Sequence, residues 1–288
     1  MAAVADRAPL RTQSDVTRRI VLGVSLVLLA AATIVILLPF VWMVATSFKP
    51  ETDIVQFPPK LLPSDVTLQH YTDIWHRIAF GRLFVNTLIF AGGVTLISLF
   101  FDSLTAYALA RMEFPGRDLL FILILATMML PFQVTLIPIF ELLTKLDWIN
   151  TYQGLIVPRA TNAFGIFFLR QFFLSIPKDL EDAARVDGAS EFRIYWRVIL
   201  PLSVPALLTL GLFHFMYNWN DFLWPLIVTT SSEMRTLPTG LALFMGEHNV
   251  EYGLLLAGAT IAAAPLVIAF LFAQRYFVAG IALTGLKE

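Results

Sequence analysis

Residues 20–48 read IVLGVSLVLLAAATIVILLPFVWMVATSF, 29 residues without a charge. A helix that crosses a bilayer needs about 20 consecutive, mostly apolar residues. At about 1.5 Å per residue this stretch is roughly 43 Å long, more than a hydrocarbon core of about 30 Å, so it tilts or protrudes. Arg18 and Arg19 in front of it suit the basic start of a signal peptide. The apolar core of a signal peptide is only about 7–15 residues, however, so a retained membrane helix is the better reading. Working outward, five more segments meet the same test: 83–110, 119–140, 152–173, 202–230 and 254–277. All read as helices, because the runs are too long for barrel strands and lack their alternation.

The whole composition agrees. Of 288 residues, 58% are hydrophobic and 14% charged, and the mean hydropathy is +0.75. A soluble domain is nearer half apolar and a quarter charged. The net charge of −1 gives no basic field for nucleic acid. With no cysteine, disulfides, thiolate metal sites and cysteine nucleophiles are excluded. If the N-terminus starts inside, the inner segments hold 13 of the Lys and Arg residues and the outer ones 6. That bias predicts six spans with both termini in the cytoplasm. The longest outer loop, about 49–82, opens with four prolines and continues with Leu68, Tyr71, Ile74, Trp75 and Ile78. Their spacing predicts an amphipathic helix at the outer interface or packed on the membrane domain.

Catalytic and nucleotide motifs are missing. There is no phosphate loop of the G-x-x-x-x-G-K-[ST] type, no H-E-x-x-H and no G-x-S-x-G. His70, His76, His214 and His248 are scattered without a metal-ligand spacing and read as structural. Ionisable residues concentrate instead in the inner loop 175–201. Pro177 suits the first position of a helix. Asp179, Glu181 and Asp182 follow where the helix dipole favours acids. Leu180, Ala183, Ala184 and Asp187 share one face, small and flat at its centre. Gly188 stops the helix. Ser190 can cap a second short helix whose apolar face is Phe192, Tyr195, Trp196 and Ile199. A helix-turn-helix presenting small and aromatic residues to water is a docking surface for a soluble partner.

The run Asp182-Ala183-Ala184-x-x-Asp187-Gly188-Ala189, then eight residues, then Val198-x-Leu200-Pro201, resembles the EAA motif of ABC importer permeases. It departs at Asp182, where the motif has Glu, and at Val198, where it has Ile. Ala106–Arg111 with Phe114-Pro115-Gly116-Arg117, and Asn86-Thr87-Leu88, are similar to other stretches of that family. Trp219–Leu226, Thr236-Leu237-Pro238 and Gln274–Val278 resemble its carbohydrate-uptake branch, while 281–288 departs from the usual ending. The resemblance implies an all-α membrane protein with the type I ABC importer permease fold. Residues 1–19 are then a cytoplasmic tail and 20–288 a six-helix permease domain in the bacterial cell membrane. It implies a second permease, two ATP-binding subunits that use ATP and Mg, an extracytoplasmic solute-binding protein, and no cofactor in this chain. The residues expected to meet the ATPase are Glu181, Asp182, Ala183, Ala184, Asp187, Gly188, Ala189, Leu200 and Pro201, with either Glu181 or Asp182 as the pairing acid. The solute is a sugar or a sugar-like molecule such as glycerol phosphate.

For the solute pathway, Asn218, Asn220 and Asp221 stand about midway along the fifth segment, Asn218 and Asp221 on one helix face. Polar groups at that depth face a cavity or other helices. Contact with the solute and hydrogen bonding to a partner permease are equal readings of them. Asp102 within the second span has Arg159 and Arg170 as candidate ion-pair partners. Pro131, Pro138, Pro205 and Pro225 are expected to kink spans. The alternative function, an ion-coupled secondary transporter, needs several deep coupling acids and often an inverted repeat.

Overall fold

The computed structural model describes the backbone of residues 12–246 and 250–284. The tail before residue 12, Glu247 and His248 in the last outer loop, and the chain end after residue 284 lie outside them. The described structure is helical, with one isolated antiparallel bridge between Met245 and Val250. Among the described residues three helices are long and apolar enough to cross a membrane. They are α1 (Thr12–Ser47), the helix Phe80–Arg111, and the last helix, Tyr252–Thr284, of which Tyr252–Phe272 meets the test. They occupy the first, second and sixth of the expected segments. Between α1 and Phe80 the predicted amphipathic helix forms as α2 (Gln69–Arg77). Ile74 on its inner face is fully buried and packs on the membrane domain, while Trp75 stays half exposed.

The middle three segments are broken. After α3 (Phe80–Arg111), the third segment is α4 (Arg117–Thr127) and α5 (Phe132–Lys145), bent by 96°. Pro131 lies at the break. It has no N–H, and it pushes Leu130 away from helical angles. The fourth segment is a short helix Tyr152–Ile156, a 3₁₀ turn Val157–Arg159, and α6 (Ala163–Ser175), capped by Asn162, whose side chain accepts from the Phe164 N–H. Thirteen residues make about 20 Å of helix, less than a bilayer core. The fifth segment divides after α7 (Asp179–Val186) into α8 (Val204–Trp219) and a separate turn of helix, Leu223–Val228. The last helix is α9 (Tyr252–Thr284). Counting each bent pair as one crossing gives up to five candidate spans by length and composition.

α3 is the axis of the fold, packed along α6 and α8. Three apolar clusters line it from end to end. One holds Ala106, Tyr107, Phe173, Ile194 and Tyr195 beside the 175–201 loop. The middle one holds Phe90, Val94, Leu155 and Trp224. The third holds Phe80, Leu83, Trp219 and Leu237 beside α2. Asn86 and Thr87 fasten that end. Asn86 Nδ2 donates to the carbonyls of Glu233 (2.7 Å) and Arg235 (2.9 Å), and Thr87 Oγ1 accepts from the Leu237 N–H (2.7 Å).

Candidate functional site

The 175–201 loop folds as two short helices with a sharp turn. α7 begins at Asp179 with Lys178 at its N-cap, so Pro177 precedes the helix rather than opening it. It ends in a Schellman arrangement: Ala189 N–H reaches the Ala184 carbonyl and Gly188 N–H the Arg185 carbonyl, both at 3.0 Å. Gly188 has φ +79°, a conformation that costs an L-residue. Leu180, Ala183, Val186 and Asp187 are exposed, and only Ala184 tucks against the first apolar cluster. The second helix differs from expectation. Ser190 stands at its N-cap without a side-chain hydrogen bond. A single π-turn, Tyr195–Ile199, shifts the helical phase. Tyr195 and Ile199 are therefore buried together with Ile194, while Phe192 and Trp196 stack on each other (6.3 Å between rings) and stay exposed. Leu200 is half-buried, and Pro201 is exposed at the turn into α8.

The charges of this unit are not equivalent. The Glu181 side chain is 2% exposed and pairs at 3.0 Å with Arg111, itself 2% exposed, at the end of α3. Asp182 is 66% exposed, and among the described residues its side chain pairs with Arg185 alone, at 2.8 Å. Arg111 also donates to the carbonyls of Phe173 and Ile176 at the end of α6. Arg185 forks onto Glu191 (2.8 and 3.3 Å), and this bond raises the Arg185 pKa above its ordinary value. Tyr107 donates to Glu191 at 2.8 Å, and Ser103 and Tyr195 share a 2.8 Å hydroxyl pair. Ser103, Tyr107 and Arg111 thus form one stripe of α3 at four-residue spacing, and each holds a different part of the loop. The polar stripe is visible in the sequence; the partners that give it meaning are not.

A second polar group lies at the broken fifth segment. α8 ends at Trp219, so Asp221 does not continue the face of Asn218 as expected. Asn220 Nδ2 turns back to the Met216 carbonyl (2.8 Å), and Asp221 Oδ1 accepts from the Trp224 N–H (3.2 Å) to start the next turn. Asn218 is buried and donates to the His214 carbonyl (2.8 Å). Asn220 and Asp221 line an open cavity of about 770 Å³ between α8 and the start of α6; Asn218 is not part of its lining. Asp221 Oδ2 pairs with Arg159 at 2.5 Å, joining the break in the fifth segment to the break in the fourth. The expected Asp102 pairs with Arg159 or Arg170 do not form. Asp102 is fully buried and accepts from Thr161 Oγ1 (2.7 Å) and the Asn162 N–H (3.1 Å), with His214 Nε2 3.6 Å from its other oxygen. The backbone ahead of α6 offered nearer donors than either arginine. Arg170 lies over the Phe121 ring instead. His214, which read as one of four scattered structural histidines, packs against Asp102 and borders the cavity. Gly165 permits this close approach, because a Cβ there would lie 2.2 Å from Asp102 Oδ2.

A domain of long apolar helices with an open cavity and an exposed helix-turn-helix at one end is the architecture expected of a solute permease. Over residues 102–283 the chain matches, and belongs to, the family described as binding-protein-dependent transport system inner membrane component. It is 38% identical to the arabinooligosaccharides transport system permease protein of Halalkalibacterium halodurans, over 86% of this chain and 90% of the relative. It is 37% identical to the trehalose/maltose transport system permease protein of Thermococcus litoralis, over 96% and 99%. It is 33% identical to the sn-glycerol-3-phosphate transport system permease protein of Yersinia pestis, over 88% and 94%. Among solved structures it resembles a bacterial ABC transporter involved in the import of the acidic polysaccharide alginate, with TM-score 0.81 and 28% identity over 94% of this chain and 100% of that one. The chain is therefore a transporter subunit of the ABC importer class with the type I permease fold, and not an enzyme. The ion-coupled alternative gives way to this reading.

Proposed function

We propose that this permease carries a sugar or sugar-like solute inward and is driven through α7 by a separate ATPase. The observation that carries this reading is the construction of the docking unit. Its outer face is small or apolar and open (Leu180, Ala183, Val186, Phe192, Trp196), and its inner face is bonded to α3. Asp182, Ala183, Asp187 and Gly188 meet the ATPase, and Asp182 is the pairing acid because it is exposed. Glu181 works inward and passes the motion to Arg111. Ala184, Ala189, Leu200 and Pro201 hold the unit's shape. ATP-driven closure of two ATPase subunits moves α7, α3 follows through its stripe, and the cavity beside α8 turns from inward-facing to outward-facing. The named relatives support a saccharide cargo. The excess of Lys and Arg in the loops supports cytoplasmic termini, and the sixth crossing is completed by the paired short elements of residues 152–175. A second permease faces the open side of the cavity, and an extracytoplasmic binding protein delivers the solute.

The test is purification of the tagged chain in mild detergent with mass spectrometry of what accompanies it. A second permease and an ATP-binding subunit are expected. Because the chain has no cysteine, one placed at Ala183 is expected to cross-link to the ATPase. A stable chain that purifies alone, with no cross-link at Ala183, would overturn the coupling scheme.

A further inference from the structure

The cavity beside α8 carries information on the charge of the solute, an inference that rests on the importer reading above. Its wall combines aromatic rings, Phe213, Tyr217 and Phe222, with Asn162, Asn220 and Asp221. Asn162 uses its oxygen on the Phe164 N–H, and its Nδ2 makes no hydrogen bond among the described residues. Asn220 uses its nitrogen on Met216, and its Oδ1 makes none. One amide donor and one amide acceptor thus stand free beside aromatic faces. That is the equipment for binding a ring with an apolar face and hydroxyl edges.

The charges decide between kinds of solute. No lysine or arginine lines the cavity among the described residues. The cation in contact with its wall is Arg159, and it is already engaged. Its Nη2 pairs with Asp221 at 2.5 Å, both side chains are 11% exposed, and its guanidinium lies 4.5 Å from the Phe132 ring and 5.2 Å from the Tyr217 ring. Among the described residues of this chain, a phosphate or uronate brought here finds a carboxylate and no free lysine or arginine, so this wall repays little of its lost hydration.

We propose that the cavity is a solute subsite for uncharged, hydroxyl-rich molecules, neutral di- and oligosaccharides, and that the Arg159–Asp221 pair disfavours anionic ones by occupying the arginine that this chain, among its described residues, brings against the cavity wall. This separates the chain from its relative named for glycerol phosphate and its structural neighbour named for alginate.

The experiment uses the complete importer purified in detergent, without binding protein, so that the permease's own preference is read. Titration calorimetry is run with a panel of neutral di- and trisaccharides, an alginate trisaccharide and sn-glycerol 3-phosphate. Saturable binding of a neutral sugar is expected, with none of the anionic solutes. Asp221→Asn frees Arg159 and is expected to tighten anion binding by about tenfold, the worth of one charged hydrogen bond. Tyr217→Ala is expected to weaken the neutral sugar. Anionic solutes binding the wild type as tightly as neutral ones would overturn the proposal. So would binding of neither class alongside intact ATP-driven uptake. If Asp221→Asn does not assemble, the wild-type panel alone decides. Uptake of the same solutes into vesicles without ATP would overturn the importer reading instead, so the two failures are told apart.

Discussion

Replacing Arg111 with Met tests how the 175–201 unit, proposed above to dock the ATPase, is joined to α3. The change removes the ion pair to Glu181 and the bonds to the Phe173 and Ile176 carbonyls in one step. Glu181 is left 2% exposed with only Arg185 at 3.4 Å. Removing one partner of a buried ion pair costs about 3–5 kcal/mol, because the other charge stays buried and unpaired. The surviving Arg185 contact and the freedom of α7 to swing outward place the cost near the lower bound, about 3 kcal/mol. That is roughly a hundredfold loss in the population with α7 docked on α3. α7 has eight residues, too few for a helix to place itself without tertiary contacts. The ATPase is then expected to move α7 without moving α3. The assay is ATP hydrolysed per solute imported in proteoliposomes, and the ratio should rise several-fold or more. Arg111→Lys keeps the charge without the planar fork and should lie between the two. The reversed pair, Arg111→Glu with Glu181→Arg, should recover part of the coupling that each single change loses. A wild-type ratio in Arg111→Met, with the melting temperature of the complex unchanged, would refute the reasoning.

Other positions separate neighbouring roles. Asp182→Lys is expected to abolish transport while insertion and expression stay normal, since Asp182 is exposed and its own partner, Arg185, retains Glu191; unimpaired transport would remove Asp182 from the ATPase contact. Gly188→Ala forces an L-residue to φ +79°, about 1–2 kcal/mol against the present turn, and hydrogen exchange in 179–189 should accelerate. Gly165→Ala would set a methyl 2.2 Å from Asp102 Oδ2 and 3.1 Å from His214 Nε2. A loss of about 1–3 kcal/mol is expected, seen as a lower melting temperature in detergent, and an unshifted melt would mean that α3 and α6 separate there freely.

The sequence shows its apolar lengths plainly and its interruptions poorly. The 29 uncharged residues of 20–48 read best as one long helix, and α1 follows that reading. The segment 202–230 is also apolar on average, yet α8 stops inside it. A running average of hydropathy cannot register that Asp221 accepts the Trp224 N–H and so starts a new helix, although an acid three residues before such a turn is the usual capping pattern. Pro131 was legible as a kink, but not the 96° of the bend. In the docking unit, the stop at Gly188 was readable from its residue type. The difference in burial between Glu181 and Asp182 was not, since it depends on Arg111, 70 positions earlier. Asp102 misled by a similar route. Sequence invites pairing acids with bases, whereas the fold supplied a hydroxyl, a backbone N–H and a histidine.

The outward exposure of α1 has a consequence for how this chain tolerates change. From Ile20 to Phe40 every side chain is exposed, and the helix gains buried contacts only near Thr46 and Ser47, where it lies along α9. Among the described residues, no buried contact distinguishes one apolar residue from another across those five to six turns. What the fold requires of that stretch is a composition, not an order. A shuffled sequence of the same apolar residues should insert, and hold the rest of the domain, as well as the native one does. Any position where shuffling does harm would mark a contact made by another molecule.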